Sequence, residues 1–272
     1  MVILKAGKIR DKNRMRNVIE KTVPTAFDFE QWVQSFEFSS EDTKRLNHAA
    51  QSCQQLASQI NDGEQLLEAG RQIVEILRSL SMDCETFIAA MLLPFYLQQP
   101  ELVQKIIEQS SPTTLVLLQN VEQMQVFSVL QGHNRQLTSE QADNLRRMLL
   151  TMVEDVRAVV IKLSERVCFL QAIKQHSEDD LVIAAREVAD IYAPLANRLG
   201  IGQLKWQLED ASFRLLHPDS YQKIAGLLAE KRIHREDYIA GFVEQLQQML
   251  QQENIHAEVY GRPKHIHSIW KK

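Results

Sequence analysis

The run Gly261-Arg262-Pro263-Lys264-His265-Ile266-His267-Ser268-Ile269-Trp270-Lys271-Lys272 holds four cations and no acid, in a chain of formal net charge −4. Lysines and an arginine gathered beside a glycine turn suit phosphate oxygens, arginine through a forked pair of hydrogen bonds and lysine as a point charge. With a helix beginning at Pro263, a turn of roughly 100° per residue sets Lys264, Ser268 and Lys272 at about 0°, 40° and 80°. Ile266, Ile269 and Trp270 then share the opposite face. Free N–H groups at such a helix start would add to an anion site, and polyphosphate is the ligand that geometry fits. The same pattern also fits the solvated face of an ordinary amphipathic helix. No glycine spacing of a Walker loop or a dinucleotide fingerprint decides between the two.

Those cations need elements to hold them. His256 to Tyr260 alternates polar and apolar residues as a half-buried strand does, so the local order reads strand, glycine turn, basic helix. Upstream, helix signals dominate. Asp62 with Gln65, Thr138 with Gln141 and Ser177 with Asp180 have the offset of a capping box or a close variant, each ahead of an apolar periodic run. Residues 141–175 read as one long helix, in which Ala158, Val159, Val160 and Ile161 are apolar on all sides and belong at the centre of the core. Met148 and Met152 are assigned to the same packing. A second buried helix carries Val182, Ile183, Ala184, Ala185, Val188, Ala189 and Ile191 and stops near Pro194. Nine glycines and seven prolines in 272 residues fit helices joined by short turns, and the length allows two domains.

Composition narrows the setting. No apolar run reaches the roughly 18 residues of a membrane span, and the amino terminus lacks the apolar segment of a signal peptide. Cys53, Cys84 and Cys168 are odd in number and far apart, which reads as buried thiols in a reducing, cytoplasmic compartment. Lys5 to Lys21 holds seven basic residues against Asp11 and Glu20, so both ends are basic and the middle acidic. A basic arm can contact RNA, but this one has no interleaved aromatics to stack on bases, and a solvated terminus is expected. His133, His176, His217 and His234 lack metal-ligand spacing. Glu209 and Asp210 would point about 100° apart on a helix and are read as structural partners of Arg198 or Lys205.

Tyr260 through Lys272 closely resembles the opening of the synthetase domain in the RelA/SpoT family of guanosine tetra- and pentaphosphate enzymes. Tyr192-Ala193-Pro194-Leu195-Ala196-Asn197-Arg198-Leu199-Gly200-Ile201, followed by Leu204 to Asp210, is similar to the segment joining that family's two catalytic domains. Asn144 to Leu150 and Val160 to Arg166 are similar to its amino-terminal hydrolase domain. The resemblance implies a mainly α chain: a basic extension over 1–38, an all-helical HD-type domain over 39–196 and a helical connector over 197–250. Residues 251–272 would be the first strand and helix of a truncated α/β nucleotidyltransferase-like synthetase domain. It further implies transfer of the β,γ-pyrophosphate of ATP to the 3′-hydroxyl of GTP or GDP. By resemblance Arg262, Lys264 and Lys272 contact the ATP phosphates, with Ser268 as an accessory donor and His265 beside them. Mg²⁺ would be held by residues further along a synthetase domain. A strand and a short helix cannot enclose two nucleotides, so the segment alone is expected to be inactive. Ribosome and tRNA are expected partners of a full-length protein through regions absent here, and a membrane is not.

Hydrolytic members of that family hold Mn²⁺ in an HD-type site. The resemblance sets the first histidine at Ala69, the His-Asp pair at Leu93-Pro94, a following acidic pair at Leu97 and Gln98, and the last ligand at Glu165. Alanine, leucine and proline side chains have no lone pair to donate, and one carboxylate cannot hold Mn²⁺ in a catalytic geometry. A shift of register does not repair this, because no histidine stands between His48 and His133. The expectation is a pseudo-hydrolase without Mn²⁺, with Leu93, Phe95 and Leu97 filling the vacated volume, as in the monofunctional synthetase branch of the family. A stand-alone regulatory or binding module built on the same domain is the alternative.

Overall fold

Apolar residues at helical spacing, punctuated by acidic and hydroxyl caps, produce helices nearly throughout. The computed structural model describes residues 27–109, 111–130, 138–172, 177–230, 232–253, 255–261 and 264–272. The basic arm around Lys5 to Lys21, His133, His176 and Arg262 lie outside the described residues. Contacts group Phe27–Leu216 into one compact unit and place His217–Lys272 in another. That junction falls inside the span read from sequence as connector.

The first unit holds α1 (Phe29–Gln34), α2 (Ser40–Ala57), α3 (Gly63–Arg78), α4 (Cys84–Gln98), α5 (Pro100–Gln109) and α6 (Pro112–Leu130). It continues with α7 (Ser139–Met152), α8 (Val156–Gln171), α9 (Glu178–Glu187), α10 (Ala193–Arg198) and α11 (Gly202–Leu216). Helix α4 is apolar on every side, as a helix must be when neighbours surround it, and it packs against α2, α3 and α6. Helix α8 brings the expected Ala158, Val159, Val160 and Ile161 into the same core, all buried. Thr138 and Gln141 form a complete capping box at α7, and the Ser177 hydroxyl accepts the Asp180 N–H at α9. Asp62 heads α3 without a side-chain capping bond. Cys53, Cys84 and Cys168 are free and buried. No described helix is long and apolar enough to cross a membrane.

Several boundaries differ from the sequence reading. The long helix over 141–175 is two, because Asp155 leaves helical geometry and accepts the Arg157 N–H at 2.9 Å to start α8 afresh. Met148 is 48% exposed, so it is not core, and the Met152 side chain lies outside the described residues. The chain does not stop at Pro194. A π-turn over Val188–Tyr192 lets the Ala193 N–H reach the Val188 carbonyl, and Pro194 enters the first turn of α10, where its missing N–H is not needed. Pro94 sits inside α4, and its ring nitrogen leaves the Ala90 carbonyl without the usual helical donor.

The second unit contains α12 (Pro218–Glu230), α13 (Arg232–Gln252) and α14 (Ile266–Trp270). The strand expected over His256 to Tyr260 does not form: those residues are irregular, and the described residues contain no strand to pair with them. The alternation was real but reports a single anchor, since Val259 is buried while Tyr260 is exposed.

Candidate functional site

The terminal cations sit on a shorter scaffold than expected. His265 is extended and caps α14, so the helix begins at Ile266 and Lys264 precedes it, while Lys271 and Lys272 follow it. A helix this short offers little dipole, so the side chains carry the charge. Lys264 and Lys272 still meet. Contact with Lys272, then desolvation and like charge, push the Lys264 ammonium below the ordinary lysine range. Two cations held together in solvent raise the local affinity for an anion. Ser268 and His265 are half-buried beside them. The preceding helices catch the apolar face: α14 packs on α12, and the Trp270 ring stacks on His217 at 5.1 Å and on His267 at 5.9 Å. Gly261 allows the approach to α13, since a Cβ there would stand 2.5 Å from Ile239 Cγ2.

In the first unit α3, α4 and α8 converge on a cavity of ≈ 400 Å³. Ala69, Leu93, Pro94 and Glu165 all line it, as do Leu97 and Gln98. Residues far apart in sequence, singled out by resemblance, thus share one space. The backbones of α3 and α4 touch alongside, where a Cβ on Gly70 would lie 2.7 Å from the Met91 carbonyl oxygen. The expected refilling is partial. Leu93 is fully buried, but Phe95 is buried elsewhere in the core and the cavity remains.

Glu165 is the one carboxylate among the four positions, and it is already matched. Arg166 approaches it at 2.7 and 2.8 Å, and the Lys162 Nζ lies 3.0 Å away, off the angle of a hydrogen bond. Arg166 also reaches Glu187 at 3.6 Å. Burial pushes the Glu165 carboxyl up, but the charges of Arg166 and Lys162 and the hydrogen bonds from Arg166 outweigh it and hold the group down at about 2. Burial, followed by the Arg166 charge, pushes the fully buried Lys162 below its usual range. A divalent metal would find three side chains without lone pairs and a carboxylate neutralised from within. The residues present do not fit one. The sequence reading missed this network, although Lys162 precedes Glu165 at the three-residue spacing of a helical contact; Arg166, the next residue in the chain, gave no such signal.

Residues 46–202 match the model of the HD domain family, more than half of the sequence, and the chain belongs to that family. Its relatives narrow the class further. It is 48% identical over 249 residues to a GTP pyrophosphokinase of Photobacterium angustum, covering 91% of this chain and 34% of that protein. The Escherichia coli GTP pyrophosphokinase is 47% identical over 250 residues, with 90% and 33% covered. A probable guanosine-3′,5′-bis(diphosphate) 3′-pyrophosphohydrolase of Synechocystis sp. is 37% identical over 212 residues, with 77% and 27% covered. The chain spans about a third of the length of the curated relatives it matches. The resemblance to the RelA/SpoT family stands on these relatives.

Proposed function

We propose that this chain is the amino-terminal part of a stringent-response GTP pyrophosphokinase whose HD-type domain no longer hydrolyses the alarmone. The observation that carries the reading is the cavity where Ala69, Leu93, Pro94 and Glu165 meet. Relatives bear both a synthetase name and a hydrolase name. The donor set at the cavity favours the first, because hydrolysis through a metal-activated water needs ligands that these side chains lack.

In the transferase reaction the 3′-hydroxyl of GTP or GDP gives its proton to a base further along a synthetase domain and its oxygen attacks the β-phosphorus of ATP; the bond from that phosphorus to the oxygen bridging the α-phosphate breaks, and AMP leaves. Positioning and charge neutralisation dominate such a transfer. Arg262, Lys264 and Lys272 bind the donor phosphates, with Ser268 and His265 as neighbouring hydrogen-bond groups. The paired ammonium groups of Lys264 and Lys272 support this role, since an anion relieves their repulsion. Mg²⁺ supplies further neutralisation of the phosphates when bound, and the terminal twelve residues offer no carboxylate to hold it. Tyr238, Phe242 and Met249 fall within about 40° on α13 and are exposed, an apolar stripe suited to a further layer of a synthetase domain. The protein acts in the cytoplasm, with the ribosome and tRNA as partners of regions beyond this segment.

The test uses the protein extended to the length of its relatives, given ATP, GTP and Mg²⁺. Guanosine pentaphosphate should form, and Lys264→Ala or Lys272→Ala should slow it by about a hundredfold to a thousandfold. Unchanged synthesis in both variants would remove these lysines from the site.

A further inference from the structure

The paired lysines stand on a helix too short to hold itself. Ile266–Trp270 makes little more than one turn, and a helix of that length does not persist in water without packing. Holding Lys264 against Lys272 adds a repulsion that other contacts must offset. Anchors stand at both ends of the run. Ahead of Lys264, Val259 is buried and Gly261 lies on α13, where a Cβ would meet Ile239 Cγ2 at 2.5 Å and Val243 Cγ2 at 3.1 Å. Directly ahead of Lys271 and Lys272, the Trp270 ring meets the His217 ring at 5.1 Å, with 30° between their planes. His267, one helical turn back, meets the same indole at 5.9 Å and 32°.

His217 is itself firmly placed. Its carbonyl accepts the Tyr221 N–H at 2.9 Å and so opens α12, and Pro218 at the first helical position restricts the backbone of the residue before it. The imidazole is therefore presented from a fixed point. Trp270 is 43% exposed, so its ring rests on a neighbour rather than in a core, and offset stacking of two rings is the contact aromatic pairs favour. We propose that His217 is a positioning residue for the donor phosphates: through Trp270 it fixes the last turn of α14 and keeps Lys272 beside Lys264, so that one polyphosphate meets both ammonium groups. The inference rests on the reading that these lysines bind ATP. His217 acts through Trp270 and takes no part in the chemistry. Because the clamp bears on the donor side alone, its loss weakens ATP binding and leaves the acceptor nucleotide untouched.

The test uses the protein extended to the length of its relatives, with initial rates of guanosine pentaphosphate formation measured against ATP and against GTP separately. His217→Ala should raise KM for ATP about threefold to tenfold, the worth of one aromatic contact, with kcat and KM for GTP within about twofold of the parent. His217→Phe keeps a ring at the same point and should return KM for ATP to within about twofold of the parent. Trp270→Leu removes the same contact from the other side, and it answers the question should His217→Ala fail to fold. Adding His217→Ala to Trp270→Leu should change KM for ATP by less than about twofold, since the two rings act as one unit. A role in folding alone would lower the active fraction, and hence kcat, or move both KM values together. An unchanged KM for ATP, an equal rise for GTP, no rescue by phenylalanine or fully additive effects would overturn the proposal. Lys264→Ala and Lys272→Ala, measured alongside, separate the two readings. If they impair synthesis while His217→Ala leaves KM for ATP unchanged, the clamp alone is wrong. If both keep full synthesis, the terminal ATP site falls and the clamp with it.

Discussion

Glu165 and Lys264 are both charged groups held close to other charges, and the chain treats them in opposite ways. Glu165 is half-buried and matched by two cations, so its charge is spent inside the protein and little of it is left for a ligand. Lys264 is exposed and set against Lys272, a like charge. Internal pairing is what a position looks like when it serves the fold. Uncompensated charge kept in solvent is what a position looks like when it awaits a partner. The same contrast extends to the neighbours: hydrocarbon side chains of Leu93 and Pro94 beside the first, and hydroxyl and imidazole groups of Ser268 and His265 beside the second.

Breaking the internal pairing should have the largest effect. Arg166→Ala leaves Glu165 and Glu187 without their shared guanidinium in a buried setting and should cost about 3–5 kcal/mol in urea unfolding. A loss under about 0.5 kcal/mol, the range of ordinary surface changes, would mean the network does not hold the fold. Gly70→Ala drives a methyl group against the Met91 carbonyl where α3 meets α4 and should cost about 1–3 kcal/mol, with the cavity beside Ala69 reshaped.

The acid limb sharpens the comparison further. Because the Glu165 carboxyl is depressed from 4.5 to about 2, the unfolded chain takes up its proton first. The stabilisation is therefore whole above about pH 4.5 and fades as the pH falls toward 2. Glu165→Gln should remove that part of the pH dependence, measured as the difference in unfolding free energy between the two proteins from pH 5 down to 2.5. Identical slopes would contradict the assigned pairing. The smallest stability effect belongs to the terminal pair. Lys272→Met should change stability by no more than about 0.5 kcal/mol, while the Lys264 ammonium, followed by NMR titration of the ¹³C-methylated protein, rises toward the ordinary lysine range.

What could be read from sequence was whatever depended on residue type and local spacing. The buried run Ala158 to Ile161, the Thr138–Gln141 capping box and the three buried thiols followed directly from such patterns. Ala69, Leu93, Pro94 and Glu165 came from resemblance, and helices α3, α4 and α8 bring them to one cavity. What depended on competition between local choices was less legible. Asp155 could continue a helix or cap one, and capping won. Pro194 reads as a stop unless a π-turn absorbs it. His256 to Tyr260 alternates like a strand, but a strand exists only with a neighbour to bond. The open volume of the cavity was invisible as well, because apolar residue types at its wall do not say whether they close it.

On the proposed reading the HD-type domain has lost metal-dependent hydrolysis while its fold persists. The direct measurement is release of pyrophosphate from guanosine tetraphosphate by the folded protein in Mn²⁺, with and without chelator. Release at the background rate in both conditions is the predicted result, and release that chelator abolishes would contradict it.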